Sequence, residues 1–396
     1  MKKIVIFLFI TIILMIRFAT GINYISIQSD RNYQLEISVY ESRAEILKVN
    51  GRAPVQKIYG KIDYLSDGYY KGSFQVNSVK YYDYYTFIDF DANSIVRIED
   101  NFLKKYYKKT SERFLENMTP ALKNMVNAVI IGDMHIYKDK QEQIRYVGIS
   151  HMFAMSGLHI GLVFAIFLFI FKKLEISIRQ REILTIIIAT LYLFSVKISP
   201  SLTRAYLMAT IVMLSHIIFY KYNVKRALII SAVISLIFKP EWIFSLSFQM
   251  SYLAMIAIFY LYPIINKINF KKYKIISYIL FSLSIQIMLA PLSVYTFGTL
   301  PLWSVVTNLI LMPIGNIFIT LSYLGLLLEN FHLGFLVSEL LILSYNLFDG
   351  AINYFYEYDF LNIAYYNSKI LYVYIPLFLF IFLGGILINF DEDSKK

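Results

Sequence analysis

The sequence predicts an α-helical polytopic membrane protein of about eight to ten spans, with a small external β domain near its N-terminus. Three observations lead there. Of 396 residues, 58% are hydrophobic and only 16% charged, far too apolar for a soluble globular domain. From residue 149 onward, apolar blocks alternate with short loops. Before them, residues 22–99 switch to alternating β-formers punctuated by Asn50-Gly51 and Asp67-Gly68, pairs that favour tight turns. The chain has no cysteine, which excludes disulfides, thiolate nucleophiles and cysteine metal sites and leaves the redox compartment open.

Residues 1–21 read as a membrane anchor. Lys2 and Lys3 precede the apolar stretch Ile4–Ile16, and no small-x-small cleavage site precedes Asn23, so an anchor is favoured over a signal peptide. In the β domain (22–99), strands are expected over 33–40, 57–64, 72–79 and 84–90. Tyr59, Tyr64, Tyr69, Tyr70, Tyr81, Tyr82, Tyr84 and Tyr85 offer stacking faces for bases, each contributing about 1–3 kcal/mol when so used. The same domain holds nine Lys and Arg against ten Asp and Glu, whereas a nucleic-acid groove is basic, so sheet packing explains the tyrosines equally well.

Residues 100–146 read as a basic amphipathic helical connector. Lys104, Lys105, Lys108, Lys109 and Arg113 fall at i, i+4 spacing on one helix and form a positive stripe. A second amphipathic segment, Pro120–Ile131, leads to Gly132 and Asp133 before the polar run 138–145.

Residues 147–389 form the helical domain and 390–396 a cytoplasmic tail. Apolar blocks fall at 149–171, 183–197, 202–220, 227–238, 243–262, 275–295, 303–328, 334–355 and 369–389. The block 227–238, stopped by Lys239-Pro240, is short for a span and reads as re-entrant or strongly tilted. The loops 172–182, 221–226 and 263–274 carry four, three and four Lys or Arg, which places them in the cytoplasm. Counting back puts the β domain and the basic stripe outside and both termini inside. Five cations on the outer side run against the positive-inside bias, so they suit phosphates, or else anionic lipid headgroups.

The run Gly148-Ile149-Ser150-His151 to Ser156-Gly157-Leu158-His159-Ile160-Gly161 opens the first large block. Polar groups in hydrocarbon are costly unless paired, so His151, Ser156 and His159 must face protein or water. Gly157 and Gly161 have the spacing that lets a neighbouring helix approach. Arg204, at the start of a span, suits a phosphate held by paired hydrogen bonds, or a guanidinium reaching to headgroups. Ser245, Gln249 and Tyr252 share one helix face; Gln286, Asn308 and Asn316 add amides near Pro291 and Pro313. Each set serves as the lining of a wet passage or as interhelical hydrogen bonding.

Catalysis is not expected. Ser156 and His159 lack an acid to orient the imidazole and a Gly-x-Ser-x-Gly elbow. The five histidines (His135, His151, His159, His216, His332) are scattered, so no metal site or other cofactor is expected. Between residues 183 and 328 Glu241 is the one acid, which disfavours cation-coupled transport, although Glu339 and Asp349 follow.

Taken in order, Gly132-Asp133, Gly148–His151, Ser156–Gly161, Arg204-Ala205 with Met208, Ser247–Ser251, Pro291, Asn308 and Pro313 resemble the ComEC family of competence proteins. The resemblance spans about half the chain and implies an inner channel that imports single-stranded DNA across the bacterial cytoplasmic membrane in natural transformation. It also implies an OB-like fold for the β domain. Family members usually begin with more hydrophobic segments, and many end in a metallo-β-lactamase-like nuclease domain. This chain shows neither, so a separate nuclease is expected, beside a DNA receptor and a cytoplasmic ATP-driven motor. Association of several copies stays open. The phospholipid bilayer is the one partner that composition itself requires. The rival expectations are a transporter or exporter of a small or anionic solute and, behind it, an intramembrane serine-dependent enzyme.

Overall fold

A computed structural model describes residues 27–357 apart from 41–42, 52–53, 55–56, 67, 82–84, 100, 133–137, 154, 219–222, 267–273, 298 and 302–303, and then 362–364, 368–374, 376–377 and 380. The expected anchor, Asp133, most of the last expected span and the 390–396 tail lie outside the described residues. The chain divides into two compact units, one reaching Asn101 and including Ile230–Phe248, the other formed by Phe102–Ile229 and the chain from Gln249.

In the first unit, β1 (Arg31–Tyr40), β2 (Arg43–Val49), β3 (Lys57–Lys61), β4 (Gly68–Tyr81) and β5 (Tyr85–Ile98) close a barrel in the order β1-β2-β3-β5-β4. β1 pairs antiparallel with both β2 and β4, and β3 runs parallel to β5, with Ile58 opposite Thr86. This is the five-stranded arrangement of an OB fold. Strict alternation sends Leu35, Ile37 and Val39 inward from β1, to meet Ile46, Phe74, Val76, Ile88 and Phe90. Each such side chain contributes about 1.5–3 kcal/mol by leaving water. Register shifts at Glu36/Ile37, Ser73/Phe74 and Val76/Ser78 bend the strands and let the long β4 and β5 wrap. β2 was not expected: Arg-Ala-Glu-Ile-Leu-Lys-Val favours helix locally, and pairing on both sides overrides that preference.

The second unit is helical. It starts with α1 (Phe102–Phe114), α2 (Pro120–Ile130), α3 (Lys138–Tyr146) and the short α4 (Ser150–Phe153). Then follow α5 (Gly157–Lys173), α6 (Ile178–Ser195), α7 (Pro200–Ile217) and α8 (Val224–Phe238), whose second half belongs to the other unit. α9 (Leu246–Ile256) continues through a π-helical turn, Ala257–Leu261, into α10 (Tyr262–Asn266). The last are α11 (Lys274–Phe297), α12 (Ser304–Glu329) and α13 (Phe335–Tyr356).

Among the described residues four helical stretches are long and apolar enough to cross a membrane: Leu246–Asn266, Ile276–Thr296, Thr307–Glu329 and Phe335–Tyr356. They coincide with four of the expected blocks. α12 and α13 form a hairpin, turned at His332 with φ 58°, in which Phe318 stacks on Phe348 at 6.0 Å between ring centroids. α5, α6 and α7 pack on one another, with Thr190 and Tyr206 hydroxyls 2.7 Å apart and Phe164 stacked on Tyr206.

α1 to α3 are not a loose linker. Thr119 caps α2 by accepting from the Leu122 N–H at 3.4 Å, and Pro120 supplies the preset first turn. The helix then buries Leu122, Met125, Val126, Ala128, Val129 and Ile130 in the same core as α5, α6, α12 and α13.

Candidate functional site

Ser156 and His159 form the N-terminal cap of α5. The Ser156 hydroxyl accepts from the Leu158 N–H at 3.3 Å, while His159 Nδ1 accepts from the Ser156 N–H at 3.1 Å. Imidazole thus takes the place that Glu or Gln fills in a Ser-x-x-Glu capping box. An Nδ1 that accepts carries no proton, which in the neutral ring leaves the proton on Nε2. His159 is fully buried, and its Nε2 has no protein partner among the described residues. Its ring lies 6.1 Å from that of Tyr323, whose hydroxyl donates to the Val129 carbonyl at 3.3 Å and receives the Tyr192 hydroxyl at 2.5 Å.

The start of α7 lies beside this cap. Ser199, which caps α7, donates its hydroxyl to the carbonyl of Met155 at 2.7 Å. Gly157 faces α7 so closely that a Cβ there would stand 3.1 Å from Ala205 Cβ and 3.5 Å from Arg204 Nη2. The absence of a side chain on Gly157 is what lets Ala205 approach, and the Arg204 guanidinium lies within contact distance of the same place. Gly161, its expected partner in packing, has open space around it. Arg204 Nε is buried without a hydrogen-bond partner among the described residues. Two helix N-termini and one guanidinium therefore converge, each positive. The Ser251 hydroxyl donates to Ser201 at 3.1 Å and joins α9 to the same place, with Gln249 half-buried on that helix.

His151 sits apart on α4. Its Nε2 is 3.4 Å from Met312 Sδ, and Met312 lies midway between Asn308 and Asn316 on one face of α12. The Oδ1 atoms of both asparagines are buried and have no protein partner among the described residues. This gives α12 a polar stripe interrupted by Pro313, which removes a further backbone bond.

On α1, Thr110, Ser111 and Phe114 turn inward, and Lys105, Lys108 and Lys109 outward, with Lys104 half-buried. Arg113 leaves the stripe: its Nε donates to Glu329 Oε1 at 2.7 Å and its Nη2 to the Glu329 carbonyl at 3.1 Å. On the barrel, Tyr64 and Tyr81 expose their rings while their hydroxyls are held, one by the Ala92 N–H at 3.0 Å, the other by the Ile27 carbonyl at 2.7 Å. Tyr70 is buried, and the side chains of Tyr82, Tyr84 and Tyr85 lie outside the described residues.

The structure thus brings Ser156, Gly157, His159 and Arg204 together, with Gln249 on a helix that touches the cluster, and holds His151 on a second polar surface. The sequence reading missed the ion pairs that fix α1 and α3, because their partners lie more than 200 residues away. The histidine-closed cap was legible as Ser-x-x-His ahead of an apolar run.

Comparison with known sequences assigns the chain. The family described as "Competence protein" matches residues 129–390, from the end of α2 through the cap, Arg204 and the α12 stripe. The chain belongs to the competence protein family. A curated relative, ComE operon protein 3 of Bacillus subtilis (strain 168), is 25% identical over 197 residues, covering 50% of this chain and 25% of the relative. The chain therefore spans about a quarter of that relative's length. No solved structure matches.

Proposed function

We propose that this chain conducts single-stranded DNA across the bacterial cytoplasmic membrane during natural transformation, and that it does so without catalysing a reaction. The observation that carries the reading is the convergence of the α5 and α7 N-termini on Arg204. Such a place attracts an anion, because two helix dipoles and a guanidinium fork both favour a phosphate oxygen. The outward lysines of α1, on the external side, supply the longer-range and salt-sensitive attraction. His151, Asn308 and Asn316 offer weak, exchangeable hydrogen bonds along the path, which let a strand slide. Ser156 and His159 shape this entrance through their cap. A nuclease, a receptor and a cytoplasmic motor are the partners that the reading requires.

Replacing Arg204 tests it. Cells carrying Arg204→Ala in place of the native chain are expected to lose uptake of labelled DNA while the protein stays in the membrane at normal level, with Arg204→Lys retaining part of it. Uptake equal to wild type in Arg204→Ala cells removes the phosphate role and favours the small-solute transporter.

A further inference from the structure

α1 and α3 are pinned to opposite ends of the α12–α13 hairpin. At the turn, the Phe114 ring fills a notch left by Gly325 and Gly334, Arg113 pairs with Glu329, and Tyr106 donates to Asn330 at 2.7 Å. At the other end, Lys140 pairs with Asp349 at 2.6 Å and donates to Asn353 at 2.9 Å, and Tyr146 packs edge-on against Tyr356 at 5.2 Å. Just beyond α3, the Val147 carbonyl accepts from Thr307, near the start of α12. From Gly334 to Tyr356 the helix rises about 33 Å, close to the thickness of the hydrocarbon layer.

Both hairpin helices are long and apolar enough to cross. We infer that residues 102–147 pass through the membrane alongside them, so that α1 and α3 face opposite compartments. α2 is too short to span a bilayer in contact with lipid. It does not cross: the Ile131 carbonyl just past its end accepts from the Lys197 N–H at 3.3 Å, beyond the Ser195 end of α6, so α2 stays on the side of α1 and the change of side comes after Gly132.

The side of each end follows from α6. Tyr107 of α1 packs against Tyr192, near the Ser195 end of α6, with ring centroids 6.1 Å apart. The opposite end of α6, about 21 Å away, adjoins the basic loop 172–182, which is cytoplasmic by its charge. α1 is therefore external and α3 cytoplasmic. The chain then returns through α4, whose Phe153 stacks on Phe348 midway along α13, to begin α5 beside Tyr323.

The absence of cysteine from these 396 residues makes this measurable without removing any native thiol from them. Lys108→Cys and Glu142→Cys are single substitutions at exposed positions, with Lys109→Cys and Arg145→Cys as second choices on the same helices. A membrane-impermeant maleimide is applied to right-side-out and inverted vesicles. The expected result is labelling of the α1 cysteines in right-side-out vesicles alone and of the α3 cysteines in inverted vesicles alone. Labelling of both helices from one side overturns the crossing. The reverse pattern keeps the crossing and overturns the external placement of α1 on which the proposed function relies.

Discussion

Arg113 and Glu329, 216 residues apart in sequence, are joined at 2.7 Å at the turn of the α12–α13 hairpin. The carboxylate is mostly buried and the guanidinium is 40% exposed. Removing the cation leaves a buried charge, a costlier outcome than losing a surface pair. Arg113→Ala is expected to destabilise the protein by about 1–3 kcal/mol. The exchanged pair Arg113→Glu with Glu329→Arg is expected to recover part of the loss. Thermal unfolding in detergent, followed for both single variants and the double variant, measures the coupling; additive losses would mean that the pair does not hold α1.

Phe114→Ala empties the notch between Gly325 and Gly334. A buried phenylalanine lost in this way costs about 3–5 kcal/mol. The effect is expected to be local, with α1 released before the hairpin opens, because α12 and α13 keep their own contacts. Limited proteolysis should therefore cut near residues 102–119 in the variant at protease levels that spare the wild type. Equal protection of that stretch would show that the ring does not anchor the helix.

The cap on α5 predicts an unusual tolerance. Gln at position 159 is able to accept from the Ser156 N–H just as imidazole does, so His159→Gln is expected to keep most of the stability. His159→Leu strands the Ser156 N–H and is expected to cost about 1–3 kcal/mol. Ser156→Ala should cost about 0.5–2 kcal/mol, with Ser156→Asp close to wild type. Denaturation of the four variants checks the order, and a Gln variant as unstable as Leu would sink the account.

Salt dependence reports on α1. If Lys108 and Lys109 meet phosphates, replacing each by Gln should flatten the slope of log K against log salt by about 0.7 for a single strand. Oligothymidylate binding to the full chain in nanodiscs, measured over a salt series, gives the slope. Tyr64→Ala and Tyr81→Ala should instead weaken binding by about 1–3 kcal/mol each with the slope unchanged. A slope untouched by the lysine changes would leave α1 to lipid headgroups.

Much of the fold was legible because two periodicities are strong. Alternation in β1 and β4 and the long apolar runs of α12 and α13 each state their own environment. β2 was hidden, since Ala44, Glu45, Leu47 and Lys48 favour helix and only pairing with β1 and β3 makes them a strand. The burial of α2 in the helical core was hidden for another reason. Hydropathy detects contact with lipid, and α2 carries Lys123, Asn124 and Asn127 half-buried beside its apolar face; Asn127 is held by Ser111 at 2.9 Å. At the site, composition picked out Ser156, His159 and Arg204 as costly in hydrocarbon. Their convergence depends on Gly157 meeting Ala205, a contact that no local pattern records.

The barrel closes by returning β1 to β4, so that each of its five strands is paired on both sides over part of its length. Along those paired stretches a visiting polypeptide has no row of amides on which to lay a sixth strand. Whatever the barrel grips must be held by its side chains and loops, contacts that form and break one at a time. Such a surface suits a thread that has to keep moving better than a guest that has come to stay.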